Sequence, residues 1–239
     1  MRTLLACVLL AAVAAAEDLP ARLASSDSDE VIAACREAAG SDDSALLAPL
    51  IRLLKHKNPA VRRAAIEALG LRKDADGQKR AAQALAQRIA PLAKDGEDKE
   101  ECLAVTAALH DLAQPVALKA LLDGIGWDDD QEIARARMRA AANIPTKDAV
   151  EELLHLASAG RRGGARWRTQ AALEALRYAT QQKVDGGVEG WRRWWSENER
   201  TYDPDAAANR RADARLKEQE RETRRDERRK RKKGGDGDD

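Results

Sequence analysis

Apolar residues recur along most of the chain with the spacing of an amphipathic α-helix. The clearest stripe occupies positions i, i+3, i+4, i+7 and i+8, and consists of Val61, Ala64, Ala65, Ala68 and Leu69. This spacing places all five side chains on one helix face, which indicates a face that is buried against a partner. Asn58 suits the N-cap of this helix, Pro59 suits its first turn, and Gly70 suits a left-handed C-terminal exit.

The same stripe recurs at four other places in the chain. The copies consist of Val31, Ala34, Cys35, Ala38 and Ala39; Ala104, Ala108 and Leu109; Ile133, Ala136, Ala140 and Ala141; and Ala171, Ala172, Ala175 and Leu176. Successive copies lie about 30, 40, 32 and 35 residues apart, which leaves room for two helices and their connections in each repeat. Leucine-rich segments before the later copies supply the other helix. The pattern predicts about five helical hairpins between Ser28 and Tyr178.

The composition agrees with an all-α fold. Of the 239 residues 44% are hydrophobic, with no Phe and only two Tyr, and the alanines and leucines that dominate this share are strong helix formers. The 35% of charged residues indicates a water-soluble protein that can still bury a core.

The segment from Asn58 to Gly70 resembles the second helix of short HEAT-like repeats. That helix opens with Asn/Asp-Pro-x-Val-Arg and continues through Ala-x-x-Ala-Leu-Gly. The resemblance covers about Ser28 to Tyr178. It implies a right-handed α-solenoid whose inner helices line a concave surface that binds other macromolecules, and it implies no reaction.

A hydrophobic segment of thirteen residues, 4–16, follows Arg2 and precedes Glu17. We interpret residues 1–16 as a secretory signal peptide that is cleaved after Ala16. Thirteen residues fall short of the roughly 20 that a membrane-spanning helix needs, which disfavours an uncleaved anchor. Lipidation at Cys7 is disfavoured because only six residues precede it. We therefore expect an exported protein, in the periplasm, cell envelope or outside the cell, that meets the membrane only transiently through its signal peptide.

The motifs of common enzymes and cofactor sites are missing from the sequence. It has no Gly-x-Ser-x-Gly, Walker loop, dinucleotide glycine pattern or zinc-protease histidine pair, and its three histidines lack metal-ligand spacing. The carboxylates at 128–130 lack the rest of a calcium loop, so helix capping is the favoured interpretation over Ca²⁺ binding. Cys35 and Cys102 fall two repeats apart, which favours two buried thiols over a disulfide. We expect no catalysis, cofactor, metal or small-molecule substrate.

Cationic and aromatic side chains on the predicted inner helices are candidate contacts for a partner protein. They are Arg62, Arg63, Arg135, Arg139, Arg166, Trp167 and Arg168. Arg and Trp dominate binding hot spots. The alternatives are a simply solvated helix face, and for Trp167 a place in the core.

Two further segments follow the repeats, which we assign to residues 17–183. Trp191, Trp194 and Trp195 are spaced to share one side of a short helix, and we predict that 184–202 caps the open apolar end of the solenoid, in preference to binding a ligand. Residues 203–239 form a charged tail with too few apolar residues for a core. We expect a solitary exposed helix that frays into disorder.

The tail carries a large positive charge. Residues 209–233 hold 13 Lys or Arg against 6 Asp or Glu. Its most basic run consists of Arg228, Arg229, Lys230, Arg231, Lys232 and Lys233. Two functions follow from the sequence. The first is a protein-interaction scaffold that uses the concave solenoid face, and the alternative is a module that binds nucleic acid, anionic lipid or acidic glycan through this tail.

Overall fold

The computed structural model describes residues 19–95, 98–126, 130–162 and 166–234, which contain twelve α-helices, two short 3-10 helices and no strand. The α-helices are α1 (Leu19–Arg22), α2 (Ser28–Ala38), α3 (Leu47–Leu53), α4 (Pro59–Gly70), α5 (Ala75–Asp95), α6 (Lys99–Leu112), α7 (Leu118–Leu122), α8 (Gln131–Asn143), α9 (Lys147–Arg162), α10 (Arg166–Thr180), α11 (Gly187–Asn198) and α12 (Pro204–Gly234). The 3-10 helices Ser44–Leu46 and Pro115–Ala117 lead into α3 and α7. The predicted all-α class is confirmed, and the predicted signal peptide lies outside the described residues.

The helices form two rows. The inner row consists of α2, α4, α6, α8 and α10, and each of these helices packs against the next one. The helices that precede them, α3, α5, α7 and α9, form antiparallel pairs with α4, α6, α8 and α10 and make up the outer row. One continuous apolar core runs between the rows. This arrangement is an α-solenoid, as the repeated stripe predicted.

Helix α4 shows how the repeated sequence produces this packing. The Asn58 side chain caps the helix by accepting a hydrogen bond from the Ala60 N–H at 2.9 Å, and the predicted apolar stripe is buried. The expectation for Gly70 was wrong, because this residue ends the helix without a left-handed turn. A Cβ atom at position 70 would lie 2.8 Å from the Cβ atom of Ala108. The glycine therefore lets α4 approach α6 closely.

Two other expectations from the sequence, a capping aspartate and two buried thiols, are confirmed. Asp130 caps α8 by accepting hydrogen bonds from the backbone N–H groups of Glu132 and Ile133. Residues 127–129 lie outside the described part of the chain. Cys35 and Cys102 are both buried and unpaired, and burial raises the pKa of the Cys35 thiol to about 11.

The tryptophan-rich helix α11 packs against α9 and α10, beyond the last inner helix. Trp191 and Trp195 are buried and Trp194 is half-buried. The ring of Tyr202 contacts the rings of Trp194 and Trp195 edge-on, with centroid distances of 6.1 Å and 5.4 Å. These aromatic rings cover the end of the outer row. The domain boundaries at residues 183 and 202 stay predictions.

The charged tail is not the solitary helix that the sequence predicted. Helix α12 begins at Pro204 and packs against α10, and Arg211 in its first turns contacts the C-terminal ends of α8 and α10. Ala207 is fully buried and Arg211 is only 5% exposed. Beyond this anchored part, residues 212–227 are exposed. The buried residues Ala207 and Arg211 lie four positions apart, on one face of the helix, which charge content alone did not indicate. Disorder was predicted to begin at residues 232–235, whereas α12 continues to Gly234. The residues after Gly234 lie outside the described part of the chain.

Candidate interaction surface

The predicted partner-binding residue Arg62 is a structural link between two repeats. Its Nε atom donates to Oε2 of Glu101 at 2.6 Å, and Nε of Arg88 donates to Oε1 of the same carboxylate at 2.8 Å. The Glu101 side chain is completely buried, whereas that of Arg62 retains 16% exposure. Arg62 also donates to the carbonyl oxygen of His56 at 3.0 Å. These contacts join α4, α5 and α6 and leave Arg62 little capacity to bind a partner.

Ion pairs between successive inner helices continue on the exposed side of the row. Arg63 pairs with Glu100, and Nη1 of Arg135 lies 3.5 Å from Oε2 of Glu174. Lys99 contacts the carboxylates of both Asp130 and Glu132, at 2.9 and 2.7 Å. Exposed pairs of this kind add little stability. They do fix the positions of charged side chains on what we call the inner-helix face, the exposed sides of α2, α4, α6, α8 and α10.

The contact between Lys99 and Asp130 is accompanied by a shifted pKa in each of these two groups. The hydrogen bond from Lys99 is the main reason that the pKa of Asp130 lies below its usual value. The pKa of Lys99 is raised in turn, chiefly by Glu132. Lys99 and Asp130 therefore both stay ionised at neutral pH.

Two of the predicted arginines line a shallow cleft between α8 and α10. Arg135 and Arg139 form its edge together with Glu174, while Ala171 and Ala175 contribute small side chains to it. The cleft has a volume of about 210 Å³. Arg139 is held in place because its guanidinium carbon lies 3.3 Å from the ring centroid of Tyr178, a cation–π contact.

Tyr178 is the centre of a cationic cluster that the sequence did not reveal. Besides Arg139, its ring is approached by the guanidinium carbons of Arg211 at 5.4 Å and Arg215 at 5.8 Å. The Tyr178 hydroxyl hydrogen-bonds to Arg215 and to the side-chain oxygen of Asn143. Within the described residues, none of these three arginines forms an ion pair with a carboxylate.

Backbone carbonyl groups take the place of carboxylates in this cluster. Arg211 donates to the carbonyl oxygens of Ala179 at 2.5 Å and Asn143 at 3.1 Å, which lie at the C-terminal ends of α10 and α8. These ends carry partial negative charge. Burial, and then nearby positive charge, lowers the pKa of both Arg139 and Arg211. Burial also lowers the pKa of His110, whose Nε2 atom lies 3.2 Å from Arg215.

The remaining predicted residues do not converge on this cleft. Arg168 is only 9% exposed and donates to the carbonyl oxygen of Ile125 at 3.2 Å, so it is removed from the accessible surface. Trp167 is half-buried against the core, which was its alternative interpretation. Arg166 is exposed. The basic run 228–233 belongs to α12, but its side chains lie outside the described set.

A second surface feature, which the sequence analysis did not predict, lies between the outer helices α7 and α9. Helix α7 has five residues, too few to cover α9, and a cleft of about 530 Å³ remains. Its floor includes Leu118, Leu122, Ile125 and Leu156, and its rim carries Asp123, Asp148, Glu151 and Glu152. We call it the acid-rimmed groove. Lys119 and His155 are its basic lining residues.

The described residues contain neither a metal site nor a helix that could span a membrane. No group of three or more His, Cys, Asp or Glu residues in the described ranges is arranged to hold a metal ion. None of the helices there is long and apolar enough to cross a bilayer.

Comparison with known families identifies the repeat. Residues 16–91 match the family model for HEAT repeats, which spans α1 to α4 and most of α5. The chain contains a HEAT-repeat domain. No curated protein matches the chain. HEAT repeats are generally protein-interaction scaffolds and typically do not catalyse reactions, which agrees with the class expected from the sequence.

Proposed function

We propose that this HEAT-repeat protein is a non-catalytic scaffold that binds another protein through its inner-helix face. One observation carries the proposal. Arg135 and Arg139, from one repeat, form a cleft with the small side chains of the next repeat, Ala171 and Ala175. A site assembled from two repeats exists only in the folded solenoid, as expected of a binding surface built by stacking.

The chemistry of this cleft suits a protein ligand. Arginine forms bidentate hydrogen bonds with carboxylates, and it is enriched in binding hot spots. The stacking of Arg139 on Tyr178 holds its side chain before a ligand arrives, which lowers the entropic cost of binding. We therefore expect a partner that inserts an acidic side chain beside a small apolar one.

We also propose that the binding takes place outside the cytoplasm, in the cell envelope or after secretion. The support for this location is the pattern of Arg2 followed by the hydrophobic residues 4–16 and the small residues before Glu17.

Capture of a partner from cell-envelope extract tests the scaffold function. The bait is the chain from Glu17 onward, compared with the double variant Arg135→Glu/Arg139→Glu. The matched control is Arg192→Glu/Arg193→Glu, which makes the same charge change on the exposed surface of α11. We expect a specific protein that the original and control baits retain at high salt and the cleft variant loses. Equal retention by all three baits would refute binding at this cleft.

A second candidate function is favoured by the exposed part of α12. Residues 212–227 are exposed, and the helix continues into the basic run 228–233, so this segment could attract nucleic acid, anionic lipid or acidic glycan. Truncation after Lys217 removes the basic segment but keeps the buried anchors Ala207 and Arg211. If the tail binds polyanions, the truncated chain should lose retention on heparin at low salt, and the binding of the full chain should fall steeply as salt rises.

A further inference from the structure

We propose that the basic distal half of α12 in one copy of the protein docks into the acid-rimmed groove of a second copy. The rim of the groove and residues 212–227 of the tail are exposed, and the net charge of the distal half is opposite to that of the groove. This interaction does not use the inner-helix face, so it goes beyond the proposed scaffold function. A negative result for the self-association would leave the scaffold function untouched.

The groove carries more negative charge than its basic residues neutralise. Asp123 is paired with Lys119, whose Nζ atom lies 3.0 Å from Oδ2 of the carboxylate. Asp148, Glu151 and Glu152 are exposed, and the ion pairs of the described residues include none of them. Three carboxylates thus border one apolar floor without an ion pair to any of the described residues.

The shape of the groove suits long aliphatic side chains that end in a positive charge. Its volume of about 530 Å³ is comparable to that of ligand-binding pockets. Its lining combines leucine and isoleucine side chains with carboxylates at the edge. Lys and Arg lay their methylene groups along apolar surfaces while the charged end reaches a polar partner. A lysine- or arginine-rich helix therefore complements both parts of the groove.

The distal half of α12 has this chemistry. Residues 216–234 contain ten Lys or Arg and five Asp or Glu. Arg221, Arg224 and Arg225 are exposed, and Leu216 adds an apolar side chain that is 58% exposed. The excess positive charge of this segment comes from residues 228–233, whereas the groove concentrates carboxylates that form no ion pair among the described residues.

The contact that we propose is between two molecules. The first turns of α12 are fixed to the inner row through Ala207 and through the hydrogen bonds of Arg211 to α8 and α10. From there the helix continues without a break to Gly234. Residues 212–227 of this helix are exposed, so they do not fill the groove of their own chain. The resulting contact is head-to-tail, which produces open chains or rings.

Sedimentation velocity on the purified chain from Glu17 onward tests this proposal, with a charge-reversed groove (Glu151→Lys/Glu152→Lys) and a charge-reversed tail (Arg224→Glu/Arg225→Glu). We expect the original chain to self-associate at low salt and to dissociate at high salt. Each variant alone should lose at least about tenfold in association constant, because like charges then face each other. A mixture of the two variants should associate again, since the reversed charges are complementary.

The matched control is Glu197→Lys/Glu199→Lys, which makes the same charge change at exposed positions near the end of α11 and should associate like the original chain. Far-ultraviolet circular dichroism verifies that every variant keeps its helix content. A chain that stays monomeric at low salt would overturn the proposal. Association that the groove reversal leaves intact, or that mixing fails to restore, would overturn it too.

Discussion

Two junctions between repeats hold arginine side chains with different kinds of partner. At the first junction, between α4 and α6, Arg62 and Arg88 share the completely buried carboxylate of Glu101. At the second, where α8, α10 and α12 meet, Arg139 stacks on the ring of Tyr178 and Arg211 donates to backbone carbonyl groups.

The difference shows that a buried arginine in this solenoid does not need a carboxylate. The C-terminal ends of helices carry partial negative charge, and the face of a tyrosine ring attracts cations, so together they hold guanidinium groups that remain positively charged. The charges of the first junction balance, because Arg62 also pairs with Asp98 at 3.3 Å, whereas the second junction keeps excess positive charge near the surface. We place the partner-binding cleft beside the second junction.

The largest expected effect comes from removing the shared carboxylate of the first junction. Glu101→Gln keeps the shape of the side chain but removes the buried carboxylate that Arg62 and Arg88 share, so that Arg88 loses this ion pair and Arg62 keeps Asp98 at 3.3 Å. We expect a loss of about 3 kcal/mol in the free energy of unfolding, because breaking a buried ion pair leaves uncompensated charge. Urea unfolding measures it. The control Glu100→Gln removes an exposed partner of Arg63 and should cost less than about 1 kcal/mol. Equal losses in the two variants would contradict the larger stabilising role that we assign to the buried carboxylate of Glu101.

At the second junction, Arg211→Met should lower the free energy of unfolding by about 2 kcal/mol. The substitution removes the buried hydrogen-bond donors to the carbonyl groups of Asn143 and Ala179. The effect should be local as well as global. Amide hydrogen exchange within residues 204–215 should accelerate, since this contact anchors α12. Arg210→Met changes an exposed neighbour and should leave exchange unchanged. If exchange in α12 is the same in both variants, Arg211 does not anchor the helix.

A smaller effect is expected from the cation–π contact. Arg139→Met keeps much of the aliphatic packing but removes the charge above Tyr178, and should lower the free energy of unfolding by about 1 kcal/mol. Arg135→Met removes only a long, exposed pairing with Glu174 and should change it by less than about 0.5 kcal/mol. Chemical denaturation measures the free energy of unfolding of both variants. An equal decrease would mean that the contact with the Tyr178 ring does not stabilise the fold.

The smallest expected effect is on pH dependence. The folded-state pKa of His110 lies below the ordinary value of 6.5, first because of burial, so the unfolded chain binds this proton more readily. The contribution of His110 to stability is therefore complete above pH 6.5 and is lost as pH falls through the folded-state pKa. Thermal unfolding between about pH 7 and about pH 5 should show a smaller acid destabilisation in His110→Gln than in the original chain. The exposed His155→Gln should behave like the original, and identical profiles for all three would contradict the interpretation.

The stripe of small apolar residues predicted the inner helices well because a periodicity of 3.6 residues depends only on local geometry. It placed Val61 and Ala65 in the core and Asn58 at a helix cap, as observed. The candidate site was predicted less well. Arg135 and Arg139 do line one cleft, but Arg62 and Arg168 are engaged by a buried carboxylate and a backbone carbonyl. These partners lie 39 and 43 residues away in the chain, and a one-dimensional pattern does not contain such distances.

The sequence by itself determined the helical class, the repeat, the caps of α4 and α8 and the burial of Trp191 and Trp195, because propensity, periodicity and capping act within a few residues. The tertiary structure alone decided that Gly70 serves close packing, that α12 docks against the ends of α8 and α10, and that Tyr178 gathers three arginines. It also decided that the short α7 leaves an acid-rimmed groove. Each of these depends on which distant side chains meet when the repeats stack, and on the burial that stacking imposes on their charges.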